Sequence, residues 1–188
     1  SSLVGSEMCI RDSHGNTIIP LTANQAILPP SDNMLRLAKV EKKQIAKAYY
    51  DLDAEVMVRI PSSEKGKFGA FSHNLAPVSL DDELYFIDKK GNKVIGGLSK
   101  AFLSNEGYRV VQKGSAFGAI DSTGAVVIPI EYTNSLTSVN NGRLGVQKNA
   151  SWFYVDMKGQ IVSDKYDRIG NFHRGYASVC LNKLWGAI

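Results

Sequence analysis

The chain predicts an all-β fold of tandem antiparallel repeats, and three observations predict it. A register valine recurs at near-constant spacing: Val78, Val111, Val146 and Val179 follow one another at intervals of 33, 35 and 33 residues, and Val40 precedes Val78 by 38. An aspartate turn follows each at a steady distance, 10 residues on at Asp88, Asp121 and Asp156, and 11 on from Val40 to Asp51. Between these landmarks lie short β-branched and aromatic runs bounded by Gly, Asn, Asp and Pro, the composition of strands joined by tight turns. A period of about 20 to 50 residues marks an array whose units cannot bury their apolar faces alone. The expected unit is a four-stranded antiparallel meander of about 35 residues, stacked in a propeller-like or solenoid array.

The unit that starts at Gly107 shows each element in order. Tyr108 to Lys113 reads as a strand, and Gly114-Ser115 supplies a two-residue hairpin turn that needs positive φ. Asp81-Asp82, Asn149-Ala150 and Asn182-Lys183 fill the same place. The return strand is Phe117-Gly118-Ala119-Ile120, matched by Trp152-Phe153-Tyr154-Val155 and Trp185-Gly186-Ala187-Ile188. The ring at Phe117, Trp152 or Trp185 is expected to pack on the neighbouring unit, and Gly118 and Gly186 to allow close backbone approach.

Asp121-Ser122-Thr123-Gly124, Asp88-Lys89-Lys90-Gly91 and Asp156-Met157-Lys158-Gly159 read as type I turns. The carboxylate caps the turn amides and Gly takes the left-handed conformation. A cation site would need about six to eight oxygens, and each copy offers one carboxylate. A third strand, Ala125 to Pro129, is echoed by Asn16 to Pro20 and Val56 to Pro61, with proline ending the ladder. A fourth segment runs from Tyr132 to Val139 and from Tyr166 to Phe172, ending in Asn140-Asn141-Gly142, Asn105-Glu106-Gly107 or His173-Arg174-Gly175, each with Gly four residues before the register valine. Residues 31–48 carry both a helical pattern and the repeat register; strands of a degenerate first unit fit better.

Residues 3–12 resemble the translation of a sequencing-library adapter (CTC GTG GGC TCG GAG ATG TGT ATA AGA GAC), so residues 1–13 are set aside as an artefact outside the fold. The array is then expected over residues 14–188, about four and a half units truncated at both ends, since Leu184 to Ile188 breaks off in mid-strand. An open arrangement follows from that count. The formal charge is +4, and without Glu7, Arg11 and Asp12 the body carries +5. The excess is scattered, with no basic stripe interleaved with aromatics, which disfavours nucleic acid. Outside the adapter-like segment Cys180 is the one cysteine, so no internal disulfide forms. No apolar run reaches the length of a membrane span. Oligomeric state and localisation are not legible; a secreted or cell-surface setting is one reading.

Trp185-Gly186, Phe117-Gly118, the Asp-x-x-Gly turns, Ile128-Pro129 followed by Tyr132, and Gly175-Tyr176-Ala177-Ser178-Val179 together resemble the WG-repeat proteins of bacteria. The resemblance covers roughly residues 14–188. Trp185-Gly186 is the literal pair, Phe117-Gly118 is a near match, Trp152-Phe153 lacks the glycine and Leu84-Tyr85 lacks both. The resemblance implies tandem β-repeats and a binding or surface role. It carries over no catalytic residue.

No reaction or cofactor is assigned, and no catalytic or metal residues are named. His14, His73 and His173 are read as solvated; His73 and His173 occupy turns before a register strand, in units that are not adjacent. Lys65-Gly66-Lys67-Phe68-Gly69 lacks phosphate-loop spacing. The expected function is a non-catalytic scaffold for a protein or glycan; the alternative is an accessory region of an enzyme whose catalytic domain lies elsewhere. Carbohydrate binding through Tyr108, Tyr132, Tyr166 and Tyr176 requires exposed rings, and buried Tyr132 and Tyr166 would remove its main support.

Overall fold

The computed structural model describes residues 10–11, 14, 17–19, 25–41, 44–60, 66–80 and 82–188. Every regular element among them is a strand. A ribbon pairs β1 (Ile10–Arg11) with β2 (Thr17–Ile19), reaching into the adapter-like segment. Five sheets follow. The first holds β3 (Gln25–Ser31), β4 (Met34–Glu41), β5 (Gln44–Asp51) and β6 (Val56–Arg59). The second holds β7 (Lys67–Phe68), β8 (Ala76–Leu80), β9 (Glu83–Ile87) and β10 (Lys93–Leu98). The third holds β11 (Lys100–Ala101), β12 (Arg109–Lys113), β13 (Ala116–Ile120) and β14 (Val126–Tyr132). The fourth has β15 (Asn134–Ser135), β16 (Arg143–Lys148) and β17 (Ser151–Asp156), and the fifth β18 (Arg168–Ile169), β19 (Ser178–Leu181) and β20 (Leu184–Ala187). Strands adjacent in sequence pair antiparallel, so each sheet is a meander.

Turn chemistry sets these hairpins. Between the second and third strands, Gly114, Asn149, Ala150, Asn182 and Lys183 all have positive φ, as a two-residue turn matched to strand twist requires. At the next turn Asp88, Asp121 and Asp156 each present Oδ1 to two backbone N–H groups. The distances are 2.9 and 2.8 Å from Lys90 and Asn92, 2.8 and 3.1 Å from Thr123 and Ala125, and 2.8 and 2.9 Å from Lys158 and Gln160. Gly91, Gly124 and Gly159 take φ of 86°, 87° and 76°. The aspartates are turn caps, as their spacing predicts. Among the described residues no group of three or more His, Cys, Asp or Glu could hold a metal ion.

The sheets stack in chain order because side chains on alternate faces of each sheet meet the sheets before and after it. Met34, Tyr49, Val58 and Ile60 of the first sheet pack with Phe71, Ala76, Val78 and Ile87 of the second. Leu75, Phe86 and Leu98 meet Val111 and Ile120; Val110, Ala119, Ile128 and Tyr132 meet Val139, Leu144, Val146, Phe153 and Val155; Tyr154 meets Phe172, Ala177 and Val179. None of these clusters joins the first sheet to the fifth. Val78, Val111 and Val146 are fully buried, each contributing about 1.5 kcal/mol or more.

One backbone carbonyl recurs at all four junctions. Gly69, Phe102, Leu136 and Gly170 occupy the same place, each donating its N–H to the carbonyl of Pro77, Val110, Gly145 or Ser178. Their own carbonyls need a donor. Tyr49 of the first sheet donates its hydroxyl to Gly69 (2.7 Å), and Tyr154 of the fourth does so to Gly170 (2.5 Å). Phe86 and Ala119 stand at the equivalent positions and have no hydroxyl. There Arg109 donates to Phe102 (2.9 Å) with its guanidinium 4.8 Å over the Phe86 ring, and Ser135 donates to Leu136 (2.6 Å). Burial pushes the Tyr49 phenol well above its usual range; burial, with the neighbouring Tyr166, pushes that of Tyr154 up to about 12.

The structure corrects four expectations. Leu37, not Val40, takes the register position, because β4 and β5 form a hairpin longer by two residue pairs than its counterparts, with Met34 opposite Asp51 and Glu41 opposite Gln44. Pro129 does not end its strand: β14 continues past it through a bulge to Tyr132, which pairs with Phe117. The expected fourth segment is split, since β14 closes one sheet at Tyr132 and β15 opens the next at Asn134. Finally, Phe117 and Trp152 are half-buried beside a hairpin turn, and Trp185 is 62% exposed. The core aromatics lie two residues further along, at Tyr49, Phe86 and Tyr154. The described parts of residues 31–48 are strand apart from the turn at Asp32 and Asn33, while Pro20, Pro61, Lys65 and Asp81 lie outside the described residues.

Candidate functional site

The turns between the first and second strands of each sheet line up along one end of the stack, where side-chain hydrogen bonds join neighbours. Each turn has two residues of positive φ: Asp32 and Asn33 (50° and 60°), His73 and Asn74 (51° and 65°), Glu106 and Gly107 (52° and 80°), Asn141 and Gly142 (53° and 64°), Arg174 and Gly175 (51° and 87°). This geometry turns successive N–H groups outward into a concavity suited to anions. Asp32 Oδ2 accepts the Asn74 N–H at 2.8 Å, and Glu106 accepts the N–H groups of Asn141 and Gly142, both at 2.8 Å. Asn105 donates to the Val139 carbonyl at 2.6 Å, Arg109 to the Ser72 carbonyl at 3.5 Å, and Asn140 to Asn171 at 3.4 Å. The five turns therefore form a continuous row.

Backbone geometry is constant along this row and side-chain chemistry is not. The first turn residue is in order a carboxylate, an imidazole, a carboxylate, an amide and a guanidinium. Loop tips on a rigid β scaffold are where binding residues concentrate.

Two segments match a family model, the WG containing repeat, at residues 117–152 and 152–185. Residues 117–185 hold two WG repeats. Their boundaries at Phe117, Trp152 and Trp185 fall on the ring position beside the hairpin turn, so each WG repeat begins inside one sheet and ends inside the next. No curated protein matches this chain in sequence. Similar solved structures include Hsv2p of Kluyveromyces lactis, at 13% identity and TM-score 0.39 over 83% of this chain and 56% of that one. A eukaryotic initiation factor is similar at 11% identity and TM-score 0.49 over 100% of this chain and 62% of that one. A protein of unknown function from Bacteroides caccae is similar at 13% and 0.31 over 81% and 63%. The chain thus spans less than two thirds of each of these structures.

The stack of sheets places the other sequence candidates as follows. Tyr132 is 6% exposed and meets Phe153 edge to face, and Tyr166 packs in the cluster around Tyr154. Tyr108 is half-buried against the core, while Tyr176 is exposed. Of the two rings whose burial would remove the main support for glycan binding, Tyr132 is buried and Tyr166 is half-buried. His73 and His173 are exposed at turns of the second and fifth sheets, and Cys180 is free and buried.

A cleft of about 370 Å³ is lined by Ile60, Leu80, Glu83, Tyr85, Ile87, Gly91 and Lys93. Its polar groups are turned on one another: the Lys93 ammonium lies 4.9 Å over the Tyr85 ring and 2.6 Å from Glu83, which also accepts the Gly97 N–H at 2.9 Å. The hydrogen bond from Lys93, with that from Gly97, holds the Glu83 carboxyl below its usual range. The turn row is the stronger candidate. Sequence reading missed it because Glu106 and the turn whose N–H groups donate to it are 35 residues apart; aligning the turn tips of all five units would have exposed the changing residue.

Proposed function

We propose that the array is a non-catalytic scaffold that binds a protein partner along the row of turns at residues 32–33, 73–74, 106–107, 141–142 and 174–175. The observation that supports this is five turns of one geometry carrying four kinds of polar group. The burial of Tyr132 and the half-burial of Tyr108 and Tyr166 weigh against a glycan partner, and the scattered positive charge weighs against nucleic acid. Among the described residues no helix is long and apolar enough to cross a membrane.

Selection of random displayed peptides on the folded array tests this reading. Enriched peptides should lose binding when His73, Asn141 and Arg174 are together changed to Ala. They should keep it when Ser115, Asn149 and Lys183, at the opposite end, are changed. Equal sensitivity at both ends, or no enrichment, would count against it.

A further inference from the structure

We propose that the turn Arg174–Gly175 is a receptor for a carboxylate supplied by an acidic segment of a partner protein. This rests on the scaffold reading above and names the chemistry of one of its sites. The turn of the second sheet holds the Asp32 carboxylate and that of the fourth holds both Glu106 oxygens, each bond 2.8 Å long. In both cases the acid comes from the first turn position of a neighbouring sheet. The structure thus shows twice what this turn geometry binds.

At the fifth sheet the supplier is missing. Asn141 stands where Asp32 and Glu106 stand in their own sheets, and an amide in place of a carboxylate carries no charge to offer. Arg174 and Gly175 keep the receptor geometry, with φ of 51° and 87°. Among the described residues neither of their N–H groups has an acceptor; the turn's own bonds run between His173 and Tyr176. Both residues are exposed, and so is His173 beside them.

The surroundings select for an anion. Arg174 brings a guanidinium, and Arg143 of the preceding sheet holds its own 4.9 Å over the Phe172 ring. The third turn, Glu106–Gly107, also has no acid from the sheet before it, since His73 stands there, but its own carboxylate repels a second one. Among the five turns the fifth alone combines receptor geometry, open amides and adjacent positive charge. An acidic peptide carries carboxylates at side-chain length, the form in which Asp32 and Glu106 present them.

The test is a titration of the isotope-labelled chain with a blocked hexaglutamate peptide, followed by amide shifts. Saturable shifts centred on Arg174 and Gly175, absent with hexaglutamine and weakened by salt, are expected. Asn141→Glu, which builds in the missing carboxylate, should weaken peptide binding about tenfold while leaving the other amide positions in place. Shifts spread evenly over the row, or undiminished binding by Asn141→Glu, would overturn the receptor and leave the scaffold reading standing. Saturation by acetate as readily as by peptide, or preference for an oligogalacturonate, would overturn the assignment to a protein segment. Peptide selection that also fails would remove the scaffold reading itself.

Discussion

The outer two junctions of the stack and the two that flank the third sheet solve one problem in different ways. Between the first and second sheets, and again between the fourth and fifth, a tyrosine from the earlier sheet crosses the interface to bond Gly69 or Gly170. Between the second and third sheets the crossing residue is Phe86, and Arg109 of the later sheet turns back to bond Phe102. Ser135 does the same for Leu136 where the crossing residue is Ala119. Repeat identity is thus held at the level of a satisfied carbonyl, and the residue that satisfies it is free to change. Units can diverge in sequence while the stack persists, because the cost of an unmet buried polar group falls on any unit that loses its donor without a substitute.

Breaking the exception should cost most. Arg109 is 7% exposed, and burial lowers its pKa, so its charge sits in the interface at a cost offset by its two carbonyls and the Phe86 ring. Arg109→Leu should destabilise the chain by about 2 to 3 kcal/mol in urea unfolding. Tyr49→Phe and Tyr154→Phe remove a single neutral hydrogen bond each and should cost about 1 kcal/mol.

The glycines of Phe117-Gly118 and Trp185-Gly186 sharpen the comparison between sheets. A Cβ on Gly118 would lie 2.6 Å from the Ile128 carbonyl oxygen and 2.8 Å from Ile130 Cα, whereas one on Gly186 meets nothing within 4 Å. Gly118→Ala should cost about 1 to 3 kcal/mol from overpacking. Gly186→Ala should fall within about 0.5 kcal/mol of the parent. Thermal unfolding of the pair checks both.

Turn caps add a small pH dependence. Burial would raise the Asp121 carboxyl, but hydrogen bonds from the Thr123 side chain and the amides of Thr123, Ala125 and Gly124 outweigh it, so the folded pKa lies below the usual carboxylate range. For Asp88 burial is likewise outweighed, by hydrogen bonds from Asn92 and Lys90 and by the Lys90 charge. A depressed folded pKa means the unfolded chain binds more protons in the window between the two values. Stability from these caps is therefore present above about pH 4 and is lost as pH falls through the folded pKa values. Asp121→Asn should flatten that acid limb.

Local chemistry was legible in the sequence and long-range chemistry was not. Gly114-Ser115, Asn149-Ala150 and the Asp-x-x-Gly turns act within a few residues, so spacing alone placed them. Val40 misled because the first hairpin is longer than its counterparts by two residue pairs, which moves the register position back to Leu37. Pro129 misled because a proline on an outer strand removes no needed donor, and a bulge carries the ladder past it. The Trp-Gly signature drew attention to the ring beside the hairpin turn, whereas the interface is made two residues later by Tyr49, Phe86 and Tyr154. Arg109 gave no signal at all: its role depends on the Phe86 ring of one sheet and the Phe102 carbonyl of the next both lying within its reach. The turn row was equally hidden, since Glu106 and Asn141 belong to different sheets.

The measurement that bears most directly on this account is the stability of Phe86→Tyr combined with Arg109→Leu, set against Arg109→Leu alone. If the carbonyl of Phe102 needs one donor and either source serves, the tyrosine should recover about 1 kcal/mol or more, making the double variant the more stable of the two. A double variant no more stable than Arg109→Leu would show that the guanidinium and the tyrosine hydroxyl are not alternative answers to one need, and the account of the junctions would fail.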